Sequence, residues 1–588
     1  MSAASNQSRQ FTQAAQQPLN SLGHTMLNLL RSEVGVMLLI GFVFVVFMSV
    51  FGKQKKGKIA QGRFGGRWEK WAAVREAQKQ LRDRKSNQVT LWSGTPTVQN
   101  LWAQTKPLLL DTMPTLYLPH AQQGTIVCGA PNSGKTFSII DPAIRSAIEQ
   151  GLPIVCYDYK GSQLEAHAAY AASRGYIVHV FAPGQAYSSV INPLDFIAND
   201  GDALMARQLA VTINRNTQRF SGVKEDPFFA DAGEQVVEGV FLLAKGTPYP
   251  DLAMAYSLLG LSQFSARIQA AHNEGRLDDF VKPSFQQLLL SADSEKTVAG
   301  ILATANRAVS PFIKRDLLSS VCGTTSFSLD LQGKQMLFLQ ADLEKRDVIV
   351  PLLAAILHLV ITRNFSRSRK EPLVVSLDEL PTLYLPDLPK WVNEFRSLGF
   401  APILGYQNAS QLQHIYQRDL AQAIFAACGT KVIFNPRDYE TAAGFSRYLG
   451  DQEVRFYSQS QSYGRNGSRS RSEQYQRCPL VSAEDFVKFD QGECIVINPA
   501  YRGHGEASVP LRLKVRLPEK DRATQRRSEE LWTVMRDRLI EVVAPHHADQ
   551  DSLRAALQVR QSMAERLFPL PQKQSKSEAD KEEFEEFV

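Results

Sequence analysis

The residues with the clearest chemistry are Gly129, Ala130, Pro131, Asn132, Ser133, Gly134, Lys135 and Thr136. Their G-x-x-x-x-G-K-T spacing is that of a phosphate-binding P-loop. Gly129 and Gly134 let the backbone curl until successive N–H groups converge on phosphate oxygens. Lys135 is placed to reach the β- and γ-phosphates of ATP, and the Thr136 hydroxyl to ligate Mg²⁺. The context fits the motif. Thr125–Cys128 reads as a buried strand, and the residues after Thr136 read as a helix whose positive N-terminal end faces the anion.

A second stretch supplies acids. Leu373-Val-Val-Ser-Leu377 reads as a buried strand and ends in Asp378-Glu379. Taken alone, this is a strand closing in a solvated acidic turn. Downstream of a P-loop it takes Walker B form, with Asp378 beside the Mg²⁺ and Glu379 as general base for the attacking water. Gln407 ends a further expected strand, Ala401–Gln407; a glutamine there orients water or senses the γ-phosphate, or merely caps the strand. Asp158-Tyr-Lys160-Gly161 closes the strand Pro153–Asp158 in a polar turn, where ligands of α/β proteins gather.

Positioning these residues takes a sheet. Further strands are expected at Ile177–Phe181, Gln335–Gln340, Thr430–Asn435 and Cys494–Asn498, with a helix at Val348–Phe365. Strands alternating with helices at this rhythm predict a mostly parallel sheet covered on both faces, an α/β P-loop domain over 98–197 and 321–518. Between them, 198–320 lacks strand signals and shows helical spacing, so it reads as an inserted all-α subdomain.

The chain has 588 residues, 44% hydrophobic and 21% charged, with a net charge of +7. That balance describes a folded protein and does not by itself mark a nucleic-acid binder. Six scattered cysteines with no C-x-x-C pair argue against a disulfide framework and a zinc site. Residues 1–33 are polar and glutamine-rich. Residues 34–51 then run without a charge, long enough to cross a bilayer as a transmembrane helix. A cleaved signal peptide fits poorly, because no basic cluster precedes the run and no small-residue cleavage site follows.

Lys53, Lys55, Lys56, Lys58, Arg63 and Arg67 follow the run and place that side in the cytoplasm. Residues 1–33 would then be periplasmic and the bulk of the chain cytoplasmic. Residues 52–97 form a basic juxtamembrane linker able to hold anionic lipid, with an amphipathic helix at 67–85.

Phe456–Arg477 reads as a flexible loop; its Arg465, Arg469, Arg471 and Arg477 either touch nucleic-acid phosphates or are simply solvated. Residues 519–588 read as helices followed by an acidic end, either solvated or a docking peptide.

In order and spacing, these elements resemble the coupling proteins of type IV secretion systems, the TraG/TraD-like conjugative ATPases. The matching stretches are GAPNSGKT at 129–136, YDYKGS at 157–162, NPLD at 192–195 and LDELPTL at 377–383. YQNASQLQHIY at 406–416, NPRDYETAAGFSRYLG at 435–450 and RCPLVSAEDF at 477–486 complete them. The resemblance covers about 60–517. It departs from the family's usual two transmembrane helices in having one.

The resemblance implies a RecA-like motor, a homo-hexamer at the inner membrane. Such a motor passes DNA with its relaxase, or effector proteins, to the secretion channel. It also implies that Lys135, Thr136, Asp378, Glu379 and Gln407 are the ATPase set, and that Arg396 reaches a neighbour's ATP. An ordinary surface arginine is the alternative for Arg396. Two other readings remain: an ATP-binding receptor platform without motor activity, and an FtsK-like chromosome translocase, for which the expected multiple spans are not seen. An ABC transporter is disfavoured by the lack of an LSGGQ-like signature.

Overall fold

The computed structural model describes residues 62–94, 115–221, 226–461, 469–503, 506, 508–547 and 549–571. The apolar run 34–51, Arg465 and the acidic end from 572 lie outside them. The chain divides into two compact units. Among the described residues, one comprises Gly62 and Asp451–Cys478; the other runs through Arg63–Gly450 and from Pro479 on.

In the larger unit, β1 (Leu91–Ser93) and β2 (Leu116–Leu118) pair antiparallel. The main sheet takes β3 (Thr125–Cys128), β4 (Ile154–Asp158), β5 (Ile177–Phe181) and β6 (Gln335–Gln340). It continues with β7 (Leu373–Leu377), β8 (Phe400–Tyr406) and β9 (Thr430–Ile433). In the smaller unit, β10 (Asp451–Gln461) pairs with β11 (Arg469–Pro479). The main sheet is completed by β12 (Glu493–Ile497) and β13 (Leu511–Lys514), in the order β13-β12-β9-β3-β8-β7-β4-β6-β5. Every pair from β9 to β5 is parallel, whereas β12 runs antiparallel to β9 and β13 to β12. The expected mostly parallel sheet is therefore present, with β13 an addition that its short, charged sequence concealed.

The strands read as continuous apolar runs because both faces are buried. Alternate side chains feed separate cores: Val155, Tyr157, Val375 and Leu404 enter one, while Ile154, Cys156, Val374 and Ile403 enter the other. The first core is continuous with the helices between β5 and β6, from Ala203–Ser221 to Arg315–Val321. No strand interrupts this region among the described residues. The same core holds the helix Arg346–Phe365. That helix is apolar and long enough to cross a membrane, but 83% of its apolar window is buried inside the protein, as a core helix should be.

The reading of Phe456–Arg477 as a loop is corrected: β10 and β11 occupy most of it. Val454, Phe456, Tyr457 and Tyr475 carry enough β-propensity to pair, and the sequence also holds Asn466-Gly467, a dipeptide common in hairpins.

The C-terminal residues form helices Glu519–Glu530, Trp532–Val543 and Gln550–Leu567. They clasp the β5 side of the sheet. Met535 and Leu539 join one core, while Ala564 and Phe568 join the other. On the way, Trp532 meets Tyr187 edge-on at 5.6 Å, and His547 Nε2 lies 2.6 Å from the Ser188 carbonyl. The clasp is locked by Arg560, whose Nε donates to Asp251 Oδ1 at 2.9 Å while its guanidinium lies over the Tyr249 ring. Asp251 is buried and also caps the helix Leu252–Leu259 through the Met254 amide.

Arg560→Ala leaves that carboxylate buried without its cation, a loss of about 3–5 kcal/mol. A thermal melt of the full chain is expected to show the drop. Hydrogen exchange should localise it to 550–567 and the helix 252–259. Unchanged exchange there would mean that the ion pair does not hold the clasp.

Candidate nucleotide site

The site forms at the carboxyl ends of β3, β8 and β7, which lie side by side in that order. β3 leads into the P-loop. There Asn132 and Gly134 take φ of +65° and +101°, left-handed conformations that the turn requires and glycine meets without strain. A Cβ on Gly129 would lie 2.4 Å from Ser133 Oγ and 2.9 Å from Phe434 Cβ, so the first glycine is set by close packing. The Ala130 N–H donates to the Asn435 carbonyl at 2.9 Å, and the Gly492 N–H to the Ser133 carbonyl at 2.9 Å. The loop is thus braced by the segments after β9 and before β12. A π-helical turn, Thr136–Ile140, then leads into the helix Asp141–Gln150.

Lys135 is buried. Its Nζ lies 2.9 Å from Asp378 Oδ1 and donates to the Asp378 carbonyl at 2.8 Å. The Thr136 hydroxyl donates to Asp378 Oδ2 at 2.7 Å. Glu379 is buried beside it and accepts from Gln407 Nε2 at 2.7 Å. The Glu379 carbonyl accepts from the Thr382 hydroxyl at 2.6 Å, and that hydroxyl lies 3.0 Å from Tyr157 OH. Five residues singled out from sequence therefore line one cavity of about 310 Å³ in two contact sets, Lys135 and Thr136 on Asp378 and Gln407 on Glu379, with the P-loop beside them.

Three further residues enter the site. Lys160 reaches over the cavity, with Nζ 3.9 Å from Glu379 Oε1. Gln491 lines the cavity from the loop before β12, a position with no local motif to betray it. Gly405 is the third. A Cβ there would lie 2.2 Å from the Asp378 carbonyl oxygen and 2.7 Å from its Oδ1. The available signal was a glycine inside an apolar strand, which marks close backbone approach.

Asp158 supports the Lys160 turn. It is buried and accepts backbone N–H bonds from Gly161 at 2.8 Å and Leu164 at 2.7 Å. Burial nevertheless pushes its carboxyl up to about 6, against the pull of those donors. Cys128, buried at the end of β3, is pushed up to about 12 and is chemically inert.

Arg396 is not brought to this cavity. It is exposed on the turn Phe395–Leu398 ahead of β8, at the opposite end of the strand from Gln407, roughly 20 Å away by strand rise.

A Mg²⁺ ion fits the donor set. One carboxylate and one hydroxyl meet there, and no cluster of three His, Cys, Asp or Glu side chains exists among the described residues. Such sparse protein ligation suits an ion held mainly by phosphate and water.

A P-loop on one strand, paired acids two strands away and a mostly parallel sheet define a P-loop NTPase-like protein. A family model described as the type IV secretion-system coupling protein DNA-binding domain matches residues 111–501, well over half of the chain, and the protein belongs to that family. Coupling protein TraD of Escherichia coli strain K12 is 26% identical over 362 residues, covering 56% of this chain and 48% of TraD. Conjugal transfer protein TraG of Rhizobium radiobacter is 24% identical over 328 residues, covering 53% of this chain and 51% of TraG. The matches span about half the length of these relatives.

Among solved structures, unbound conjugative coupling protein TrwB aligns over 73% of this chain and 94% of its own, with a TM-score of 0.50 at 16% identity. TrwB in complex with ADP and Mg²⁺ aligns over 73% and 95%, also with a TM-score of 0.50 at 16% identity. At that identity the likeness is one of fold.

Gly405→Ala is expected to displace Asp378 and weaken binding of Mg²⁺ with a non-hydrolysable ATP analogue. An overpacking cost of about 1–3 kcal/mol corresponds to roughly 5- to 150-fold in affinity. Calorimetric titration measures it, and wild-type affinity would show that β8 can yield without moving the acid.

Proposed function

We propose that this protein is a membrane-anchored ATPase that couples ATP hydrolysis to recruitment and translocation of DNA or relaxase–DNA substrates into a type IV secretion channel. The observation that carries the reading is the convergence of Lys135, Thr136, Asp378, Glu379 and Gln407 on one cavity, in a chain of the coupling-protein family. The domain is read as RecA-like with an all-α insertion, and the run 34–51 as a single anchor in the inner membrane, with the bulk of the chain cytoplasmic.

In this reading the P-loop backbone cradles the phosphates, and Lys135 leaves its contact with Asp378 to meet the γ-phosphate. Thr136 and Asp378 hold Mg²⁺, which neutralises phosphate charge when bound. Glu379 accepts the proton of the attacking water, and Gln407 orients both. Arg396 lies too far from its own subunit's site to act there, so its role requires a neighbour in a ring, read as a homo-hexamer. Substrate grip is sequence-independent and phosphate-based. ADP and Mg²⁺ bound to TrwB are in keeping with these cofactors.

The test is ATP turnover by the full chain, with and without single-stranded DNA, beside Glu379→Gln. Losing the general base is expected to cost about 10²- to 10⁴-fold, and DNA should stimulate only the wild type. Turnover at the level of the variant under all DNA conditions would favour the receptor platform instead.

A further inference from the structure

The smaller unit carries side chains that the nucleotide site does not use. Phe456, Tyr457 and Tyr475 are 46%, 50% and 42% exposed on β10 and β11, and the Arg455 guanidinium lies 5.3 Å from the centre of the Tyr475 ring. Over 451–478 the sequence holds five arginines against three acids, and no lysine. Its base is fixed. The Gly62 N–H donates to the Asp451 carbonyl at 2.8 Å, so closely that a Cβ on Gly62 would lie 2.4 Å from that oxygen.

Gly62 follows the uncharged run 34–51 after only eleven residues, which span at most roughly 40 Å. β10 is itself eleven residues long, about 37 Å at strand rise, so its far end is within reach of that run.

We propose that the β10–β11 sheet is a membrane-interface element that lies on anionic phospholipid headgroups beside the anchor. Tyrosine and phenylalanine place an apolar ring and, in tyrosine, a polar tip where headgroups meet hydrocarbon. Arginine forks pair with lipid phosphates. The same side chains would suit single-stranded nucleic acid. What selects the bilayer is continuity: the sheet's base is hydrogen-bonded to the segment that emerges from the apolar run and its basic flank. The inference rests on the reading of 34–51 as an anchor.

The test uses the full chain with Tyr457→Cys for an environment-sensitive dye, and Cys322→Ser and Cys478→Ser to remove the two half-buried thiols. The other four cysteines are buried. The protein is reconstituted in phosphatidylcholine vesicles with and without phosphatidylglycerol, each also prepared with headgroup-proximal doxyl lipid. Tyr475→Cys, whose ring lies against Arg455, gives a second site for the dye should the first variant misfold.

Quenching that needs phosphatidylglycerol, and a further Arg455→Gln change that lowers interfacial partitioning about five-fold, is the expected result. A protein that floats with the vesicles while its dye stays unquenched overturns the inference and leaves the anchor intact. A dye that responds to single-stranded DNA and not to lipid overturns it in favour of nucleic acid. A protein that does not float removes the anchor, and the inference with it.

Discussion

Asp378 is the point on which the candidate site depends. Lys135 and Thr136 come from the helix after β3, Asp378 from the end of β7, and β8 separates the two strands. An ammonium and a hydroxyl can both meet one carboxylate across that distance only because β8 places Gly405 where any side chain would collide with Asp378. The intervening strand also delivers Gln407 to Glu379. The nucleotide chemistry proposed for the cavity thus follows from one strand inserted between two, and from the residue in it that has no side chain.

Around that centre the elements are tied to one another by buried polar contacts. Asn216, in the helical region, donates to the Tyr384 carbonyl at 2.9 Å and accepts from its N–H at 3.0 Å, five residues beyond Glu379. Arg219 lies over the Tyr384 ring. His167 and Asp141 meet at 3.1 Å between the helix that starts at the Lys160 turn and the helix that follows the P-loop. Ser528 of the C-terminal segment accepts from the Tyr170 N–H on that first helix. The loops after β4, β7 and the P-loop are thus in polar contact with the helical region and the C-terminal helices. In the proposed motor, ATP turnover would do work through these contacts.

Much of this was legible in the sequence. The P-loop, the acidic pair and the strand that ends at Gln407 are signals over short windows, and strands buried on both faces announce themselves as apolar runs. What escaped depended on contacts distant in sequence. Gly405 owes its role to Asp378 at the end of the neighbouring strand, and Gln491 owes its role to the P-loop, hundreds of residues away in the chain. The C-terminal helices read as helices in the sequence, but their packing is not legible there, because they bury only narrow stripes such as Met535 and Leu539. Serine, glutamine and arginine dominate β10 and β11, so their sequence reads as a loop: it lacks the apolar alternation that marks a half-buried strand. Arg396 shows the opposite limit: the resemblance gives it a place at a neighbour's ATP, and within one chain it does not line the P-loop cavity.

Glu379 follows β7 and Gln407 follows β8, and the proposed chemistry requires the two to act as a unit. A double-mutant cycle of Glu379→Gln and Gln407→Ala, read as single-turnover ATP cleavage, tests it most directly. If the glutamine works through the glutamate, the double variant should be no slower than Glu379→Gln alone, as groups that act as one unit are strongly non-additive. Losses that multiply in the double variant would mean that the two residues act independently, and the 2.7 Å contact between them would then have no part in catalysis.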